Sequence, residues 1–384
     1  MESPLQLGID ILLEASGSLK NQRLALVTND AALTGKGIPV RTALLENGFQ
    51  VKKLFSPEHG ISRLGEDGAP QPNSIDPLTG LPIISLYGHK MAPIEADLAE
   101  IDAVLFDIPD IGCRFYTYLW TMTHVMEACA RYQKRFILTD RPNPIGALLS
   151  DAEGPMLNEA HCSSFVGRWN IPVKHACTLG ELCRFFAEKR IKNLQFDIIR
   201  LKNYNRAFTA ANYGFTPTSP AMKDVETALL YPGMGLLEGI NVNEGRGTST
   251  PFKKCGTSWL NNGQLLQKMQ KLDIPGIEFK TTEYVPETGL YAGETCNGLE
   301  WRLTRPEAFR AVKTGILLLQ AIIELHPEQV TKRLYTTHAN PTGSAHLNKL
   351  LGHPNAFERL KKGEAIETDL GCSWMETIKP FLLY

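Results

Sequence analysis

Short β-rich segments alternate with segments of helical spacing throughout residues 24–201 of the chain. Strands that alternate with helices in this way are typical of βαβ units and a parallel sheet. The predicted strands are residues 24–28, 51–56, 83–87, 103–107, 136–140 and 196–201, and the predicted helices are residues 40–47, 116–130 and 178–188. The pattern therefore predicts an α/β fold with a Rossmann-like, doubly wound, mostly parallel sheet.

The alternation fades after residue 202, and the chain of 384 residues is longer than a single hydrophobic core usually supports, roughly 250–300 residues. We therefore expect two cores: a Rossmann-like domain at residues 1–205 and a smaller α+β domain at residues 206–384. In the second domain we predict helices at 263–271 and 306–325, short helices around Asn348 and Phe357, and a strand at 277–280.

The composition is that of an ordinary folded protein, with 43% hydrophobic and 21% charged residues. The formal net charge of −1 creates no global field that would attract nucleic acid or an anionic membrane. The longest apolar run, residues 315–323, is far shorter than the ~20 residues that cross a bilayer. We expect no nucleic-acid partner and no membrane insertion, and no pattern specifies an oligomeric state.

The eight cysteines contain no C-x-x-C pair, and several lie in apolar runs, so we interpret them as structural. The first ten residues lack a basic stretch followed by an apolar core, which is the pattern of a signal peptide. The expected location is therefore cytoplasmic, or periplasmic or secreted if the chain is a trimmed mature form.

Polar side chains follow five successive predicted strands, and ligands of open α/β sheets bind beyond the carboxyl ends of strands. The clearest segment is Pro57-Glu58-His59-Gly60, in which proline fixes φ and glycine frees the turn around a carboxylate and an imidazole. A turn with a solvated glutamate is the alternative. The other strand-end candidates are Asn29, His89, Asp107, Arg114, Asp140, Arg141 and Asn143.

A second candidate segment is rich in glycine, with five glycines in residues 233–247. Such a backbone turns tightly or approaches a ligand closely. The segment holds Asn243, Glu244 and Arg246, and a guanidinium offers two parallel donors to a carboxylate. The alternative interpretation is a surface loop with an internal ion pair.

Cofactor binding finds no support in the sequence. The segment after the first strand, residues 29–37, matches neither G-x-G-x-x-G nor a Walker A sequence. The histidines, His175 among them, show no H-E-x-x-H or H-x-H spacing. We therefore expect neither a dinucleotide cofactor nor a bound metal.

Six motifs in this sequence resemble one known family. They are FSPEHG (55–60), DPLTGLPI with SLYG (76–88), GCRFYTY (112–118), DRPNP (140–144), YPG (231–233) and NEGRGT followed by PF (243–252). These motifs occur in the same order as in the exo-β-N-acetylmuramidases, and the chain resembles that family. The resemblance extends from about residue 24 to residue 259 and, more loosely, to the C-terminus. The resemblance implies release of terminal N-acetylmuramic acid from the non-reducing end of peptidoglycan fragments, in a cleft between two domains.

Glycoside cleavage requires a proton donor and a second group that stabilises or attacks the oxocarbenium-like centre. Our hypothesis is that Glu58 and Glu244 are this pair, with either as the acid, and that they face each other across one hollow. Their separation would distinguish retention from inversion, and a 2-acetamido group of the sugar is an alternative nucleophile.

The substrate-binding candidates surround this pair. We expect Arg114 or Arg246 to bind the lactyl carboxylate of muramic acid. Tyr116, Tyr118 and Trp259 are candidates to pack on sugar faces, and ordinary core packing is the alternative for Tyr116 and Tyr118. The full set of predicted binding residues is Asn29, His59, Arg114, Tyr116, Tyr118, Asp140, Arg141, Asn143, His175, Asn243 and Arg246.

The sequence departs from the family pattern at Pro109, where glutamine is common, at Met222-Lys223, where an Asn-Met-Pro run is usual, and at Lys253, where an acidic residue usually follows Pro-Phe. We expect these departures to affect aglycone preference. Two other function classes stay open: a sugar-binding module that does not cleave its ligand, and a metal-assisted hydrolase of esters or amides.

Overall fold

The computed structural model describes residues 4–15 and 17–384. Its strands, in chain order, are β1 (Arg23–Val27), β2 (Gln50–Ser56), β3 (Ser74–Ile75), β4 (Pro82–Ser85), β5 (Ala103–Phe106), β6 (Arg135–Thr139), β7 (Glu153–Met156), β8 (Pro172–Lys174), β9 (Phe196–Ile199), β10 (Lys254–Thr257), β11 (Ile277–Tyr284) and β12 (Cys296–Leu303).

The α-helices, in the same order, are α1 (Gly8–Glu14), α2 (Val40–Glu46), α3 (Glu95–Leu98), α4 (Tyr118–Arg131), α5 (Glu159–Cys162), α6 (Leu179–Lys189), α7 (Ala210–Tyr213), α8 (Val225–Met234), α9 (Asn262–Lys271), α10 (Ala311–Leu325), α11 (His346–Leu351), α12 (Ala356–Lys361) and α13 (Ser373–Ile378). The predicted helices with stated bounds are confirmed within two residues at each end, except that the helix predicted at 306–325 begins at Ala311, after a 3-10 helix at Pro306–Ala308. Helix α6 begins as its sequence indicates, because Thr178 Oγ1 accepts from the Glu181 amide at 3.2 Å and Glu181 accepts from the Thr178 amide at 3.0 Å.

Seven strands form the main sheet in the order β3-β4-β2-β1-β5-β6-β9. All neighbours pair in parallel except the edge strand β3, which is antiparallel to β4. The six parallel strands thus follow the order 3-2-1-4-5-6, with the reversal between β1 and β5, as in Rossmann sheets. The predicted fold class is confirmed.

The hydrophobic core is divided by this sheet. Val27, Phe55 and Phe106 point into the larger cluster, whereas their strand neighbours point into the smaller cluster, because successive side chains of a strand face opposite sides. The larger cluster continues through the C-terminal region as far as Phe381. The two clusters thus lie on the two faces of the sheet, and the expected division into two domains stays a prediction.

The C-terminal region contains a three-stranded antiparallel sheet, in the order β10-β12-β11, packed with α8, α9 and α10. The end of the chain returns to the first sheet, where the Tyr384 hydroxyl donates to Asp140 Oδ2 at 2.8 Å and Trp374 Nε1 donates to the His175 carbonyl at 2.9 Å. The boundary at residues 205/206 stays a prediction.

Candidate active site

A cavity of about 770 Å³ lies between loops at the carboxyl ends of β2, β4 and β5 and residues of the C-terminal region. Its charged or ionisable lining residues are Glu58, His59, Asp67, Glu238, Arg246, His346 and Lys349. Its aromatic lining residues are Tyr87, Phe115, Tyr116, Phe165, Tyr231, Phe252 and Tyr335. Carboxylates, cations and ring faces therefore meet in one hollow at the edge of the sheet where ligands of this fold class bind.

Glu58 is fixed at the exit of β2. The turn is closed by the Gly60 amide, which donates to the Pro57 carbonyl at 3.0 Å, and Gly60 has a φ of 72°. Glu58 Oε1 accepts from the Gly68 amide at 2.8 Å, and Oε2 accepts from Thr117 Oγ1 at 2.6 Å. Its carboxyl group is buried, lines the cavity and is held in one orientation.

Tyr87, which follows β4, lies beside Glu58. Burial raises the pKa of Tyr87 far above its usual value, and the charge of Glu58 raises it further, so the phenol keeps its proton. The phenol of Tyr87 is therefore a neutral, protonated group beside the carboxyl group of Glu58.

His59 is positioned by the loop that follows it. Its Nδ1 lies 2.8 Å from the Gly65 carbonyl, which can only accept, so Nδ1 carries a proton. Its Nε2 lies 3.6 Å from Asp67 Oδ1. The imidazole therefore joins Glu58 in the cavity wall and contacts a second carboxylate there.

Glu238 comes from the 3-10 helix Gly235–Gly239, which follows α8. Its Oε1 lies 2.8 Å from Arg246 Nη2 and 2.9 Å from Arg246 Nε, and its Oε2 lies 3.9 Å from His346 Nε2. Burial alone would raise the pKa of Glu238, but Arg246 and His346 outweigh burial and hold that pKa at about 2. Glu238 is therefore an ionised carboxylate in the cavity wall.

Arg246 joins three carboxylates. Besides Glu238, it forms an ion pair with Asp67, and its Nε lies 3.3 Å from Glu244 Oε1. Its guanidinium also packs 5.0 Å from the centre of the Phe252 ring. Each of the three nitrogens of Arg246 thus faces a carboxylate of the protein, and the side chain holds the acidic groups together.

Glu244 does not line the cavity and is fully buried. Its Oε2 lies 3.0 Å from Arg333 Nη1, and burial, followed by the nearby charge of Glu238, raises the pKa of Glu244 despite Arg333 and Arg246. The expectation that Glu58 and Glu244 share the hollow is therefore corrected: the glycine-rich segment contributes Glu238 and Arg246 to the lining, and Glu244 lies behind them.

Asn243 organises this segment and does not line the cavity. Its Oδ1 accepts from the Gly245 amide at 2.8 Å and from the Tyr284 hydroxyl at 2.9 Å, and its Nδ2 donates to the Leu290 carbonyl at 2.9 Å. These bonds occupy the amide of Asn243, so it supports the loop from behind.

Arg114 is fully buried and does not itself line the cavity. Its Nη1 donates to the carbonyls of Pro155 at 2.7 Å and Ile171 at 2.8 Å, and its Nη2 donates to the Leu350 carbonyl at 2.7 Å. The expectation that Arg114 binds a substrate carboxylate is corrected, because its guanidinium crosslinks three backbone segments.

Of the aromatic candidates, Tyr116 lines the cavity and donates to Thr218 Oγ1 at 2.6 Å. Tyr118 is fully buried and donates to the Thr218 carbonyl at 2.7 Å, and Trp259 Nε1 donates to the Tyr291 hydroxyl at 3.0 Å. Neither Tyr118 nor Trp259 lines the cavity, so only Tyr116 is placed to contact a sugar there.

The other predicted strand-end residues also lie outside this lining and hold loops in place. Three of them make these contacts: Asn29 Oδ1 accepts from the Ala31 amide at 3.0 Å, Asp140 Oδ2 accepts from Thr178 Oγ1 at 2.7 Å, and Arg141 Nε donates to Asp107 Oδ1 at 2.6 Å. Asn143 Nδ2 donates to the Cys177 carbonyl at 3.0 Å, and the fully buried His175 lies 3.8 Å from Asp110. We expected these residues to contact the substrate, but none of them lines this cavity.

Of the departures from the family pattern, only Met222 lines the cavity. Lys253 Nζ lies 2.8 Å from both Asp224 and Glu226, and Pro109 borders a separate cavity of about 1100 Å³. Any effect of these departures on the bound ligand would therefore act most directly through Met222.

Sequence reasoning missed Asp67, Glu238, Tyr335, His346 and Lys349 as lining residues. Glu238 was detectable, because it lies in the same glycine-rich segment that holds Arg246. His346 and Lys349 are three residues apart on α11 and so share a helix face, but nothing in the sequence indicates that this face meets the strand ends.

Within residues 4–15 and 17–384, no group of three or more His, Cys, Asp or Glu side chains is arranged to hold a metal ion. Over the same described ranges, no helix combines the length and the apolar character that a membrane span requires.

Comparison with known proteins identifies the family. Two family models match, "Exo-beta-N-acetylmuramidase NamZ, N-terminal" over residues 24–226 and "Exo-beta-N-acetylmuramidase NamZ, C-terminal" over residues 229–384. The chain is 34% identical over 381 residues to the peptidoglycan beta-N-acetylmuramidase NamZ of Bacillus subtilis (strain 168), covering 98% of this chain and 89% of that protein.

Two crystal structures of DUF1343 family proteins from Bacteroides fragilis NCTC 9343 have a similar fold. One has a TM-score of 0.85 at 25% identity and covers 99% of both chains. The other has a TM-score of 0.76 at 28% identity and covers 100% of this chain and 99% of its own. With both domain models matched along its length, this chain belongs to the exo-β-N-acetylmuramidase NamZ family.

Proposed function

We propose that this protein is an exo-acting β-N-acetylmuramidase, a glycoside hydrolase that releases terminal N-acetylmuramic acid from the non-reducing end of peptidoglycan fragments. The observation that carries the proposal is the cavity that Glu58, from the sheet edge, and Glu238, from the C-terminal region, line together. The name of the Bacillus subtilis relative supports the substrate.

The two carboxyl groups suit different parts of the reaction. Glycoside cleavage develops positive charge on the sugar ring and requires a proton for the departing oxygen. Arg246 and His346 hold the pKa of Glu238 at about 2 against the opposing effect of burial, so Glu238 offers a fixed negative charge to the oxocarbenium-like centre. Glu58, oriented by Gly68 and Thr117, is then the group that transfers the proton.

The cavity walls suit a single sugar with its substituents. The lining residues leave about 770 Å³ of empty space, which includes space open to solvent. Tyr116, Tyr231 and Phe252 supply ring faces that can pack against the apolar side of a pyranose. Tyr231 packs edge-to-face on both other rings, at centroid distances of 6.1 Å and 4.8 Å, so the aromatic wall is preformed.

The test is hydrolysis of a chromogenic β-N-acetylmuraminide. We expect turnover by the wild type and a loss of roughly 10²- to 10⁴-fold in kcat for Glu58→Gln and for Glu238→Gln. Glu244→Gln is the matched control, because Glu244 is a glutamate of the same segment that lies behind the cavity and does not line it.

Each rival function has its own outcome in this assay. Binding of the substrate without release of chromophore would indicate a sugar-binding module. Hydrolysis that stops with a chelator and returns with added metal would indicate a metal-assisted enzyme. Full activity of Glu58→Gln or Glu238→Gln would remove that residue from the mechanism.

We also propose a cytoplasmic location. All eight cysteines are free thiols, seven of them buried and Cys372 exposed, which suits a reducing compartment. Cell fractionation with an antibody to the chain tests this location, and recovery of the protein in the periplasm or the medium would overturn it.

A further inference from the structure

Of the cations that line the cavity, Lys349 is the one without a carboxylate partner among the described residues. Arg246 faces three carboxylates, and His346 lies 3.9 Å from Glu238. The ammonium group of Lys349 instead donates to the neutral Asn340 Oδ1 at 2.7 Å. Burial lowers the pKa of Lys349, and no acidic group opposes this effect.

The position of this ammonium group is fixed by the fold. Lys349 lies on α11, three residues after His346, and both side chains reach the cavity. The guanidinium of Arg114 holds the end of α11 through the Leu350 carbonyl at 2.7 Å. The hydrogen bond to Asn340 holds the ammonium group of Lys349 at one position in the cavity wall.

The charges of the cavity restrict where an anionic ligand can sit. Glu58, Asp67 and Glu238 are acidic lining residues, and they repel an anion. Arg246 is already surrounded by carboxylates of the protein, which leaves Lys349 as the side chain able to pair with a new negative charge. An anionic substituent of a bound sugar is therefore directed toward α11.

Muramic acid carries such a substituent, a lactyl ether on the sugar ring that ends in a carboxylate, whereas N-acetylglucosamine has a hydroxyl group there. We propose that Lys349 binds the lactyl carboxylate of the terminal N-acetylmuramic acid and so gives the site its preference for this sugar over N-acetylglucosamine. This inference rests on the proposed function and adds the residue that selects the substrate. N-acetylglucosamine would leave the ammonium group with Asn340 alone.

The test removes the charge of Lys349 and the charge of the lactyl carboxylate separately. The variant is Lys349→Met, which keeps most of the side-chain length, and the matched ligand is the methyl ester of N-acetylmuramic acid, which keeps the lactyl group without its charge. Binding of the free sugar and of its ester is measured by titration calorimetry in the wild type and the variant, and KM and kcat are measured on the chromogenic β-N-acetylmuraminide. Lys349→Arg and Lys362→Met, the latter at an exposed lysine, are the controls.

We expect esterification to weaken binding to the wild type by about tenfold to a hundredfold, and to leave binding to Lys349→Met nearly unchanged. The variant should raise KM for the muraminide by a similar factor while kcat changes little. Lys349→Arg should recover much of the loss, and Lys362→Met should match the wild type.

The outcomes separate the two proposals. If esterification weakened binding by the same factor in the wild type and in Lys349→Met, the role of Lys349 would be overturned. Equal affinity of the wild type for the acid and the ester would overturn it as well. Failure of the wild type to hydrolyse the muraminide would overturn the proposed reaction, while the calorimetric comparison would still decide whether Lys349 binds the carboxylate.

Discussion

Glu238 lies 2.8 Å from Arg246, and the same guanidinium lies 3.3 Å from Glu244. The two carboxyl groups share one cation but experience different surroundings. Burial opposes ionisation of both groups, yet Arg246 and His346 hold the pKa of Glu238 at about 2, whereas burial and the charge of Glu238 raise the pKa of Glu244. Separated pKa values in one cluster are a common feature of sites that handle protons.

The low pKa of Glu238 predicts how stability depends on pH. Its pKa falls from 4.5 to about 2 on folding, so its contribution is present above pH 4.5 and is lost as the pH falls toward 2. Glu238→Gln lacks this contribution. We expect the difference in free energy of unfolding between wild type and variant, measured with urea, to be largest near neutral pH and to shrink at about pH 3. A difference that stays constant over this range would contradict the assignment.

The hydrogen bond from Thr117 to Glu58 predicts an effect on turnover. Thr117→Val removes the donor 2.6 Å from Glu58 Oε2 and keeps the shape of the side chain. Because the carboxyl group then loses part of its orientation, we expect kcat on the muraminide to fall by about tenfold, with a smaller change in KM. Thr117→Ser retains the hydroxyl and should stay close to the wild type. If serine and valine lowered kcat equally, packing and not the hydrogen bond would be responsible.

The sheet could be predicted from the sequence because most of its parallel strands are short, largely apolar runs followed by a polar turn. The small antiparallel sheet was mostly missed. Strands β10 and β12 contain Gly256 and Gly298, which contribute no apolar side chain to an alternating pattern. The structure supplies the reason: a Cβ atom at Gly298 would lie 1.7 Å from the Cys255 carbonyl oxygen, so this pairing requires glycine.

The candidate site was predictable in part, for a related reason. Glu58 and His59 follow a parallel strand, and the carboxyl ends of such strands mark ligand sites. Glu238 and Glu244 are six residues apart in one segment, and no local pattern distinguishes the glutamate that lines the cavity from the one that lies behind it. Lys349 is brought in by packing of α11 on the 3-10 helix that carries Glu238, which is a tertiary contact without a local signal.

The turn at Gly247 predicts a site where an added methyl group is costly. A Cβ atom there would lie 2.3 Å from the Thr288 carbonyl oxygen, in addition to the strain of φ 76°. We expect Gly247→Ala to lower the free energy of unfolding by about 3 kcal/mol and to reduce turnover by displacing Arg246. The control is Gly289→Ala, with φ 78° and no atom within 4 Å of its Cβ, where we expect about 1 kcal/mol. Equal urea midpoints for the two variants would show that the backbone at Thr288 shifts to accommodate the added methyl group at little cost.

The three carbonyls around Arg114 predict that its role is structural and depends on the guanidinium. Burial lowers the pKa of Arg114 to about 10, which keeps the side chain charged at neutral pH. Arg114→Lys keeps the charge but cannot span the Pro155, Ile171 and Leu350 carbonyls, so at least one buried acceptor loses its donor. We expect a loss of about 2–4 kcal/mol in free energy of unfolding by urea denaturation, because each orphaned buried group costs about 1–3 kcal/mol.

The matched control for Arg114→Lys is Arg302→Lys, at an exposed side chain 3.4 Å from Glu278, where we expect a change below about 0.5 kcal/mol. Because Arg114 also holds the end of α11, its replacement should raise KM for the muraminide through Lys349 while Arg302→Lys leaves KM unchanged. Equal stability of the two variants would mean that the carbonyl contacts contribute nothing net. A destabilised Arg114→Lys with an unaltered KM would mean that α11 keeps its place without them.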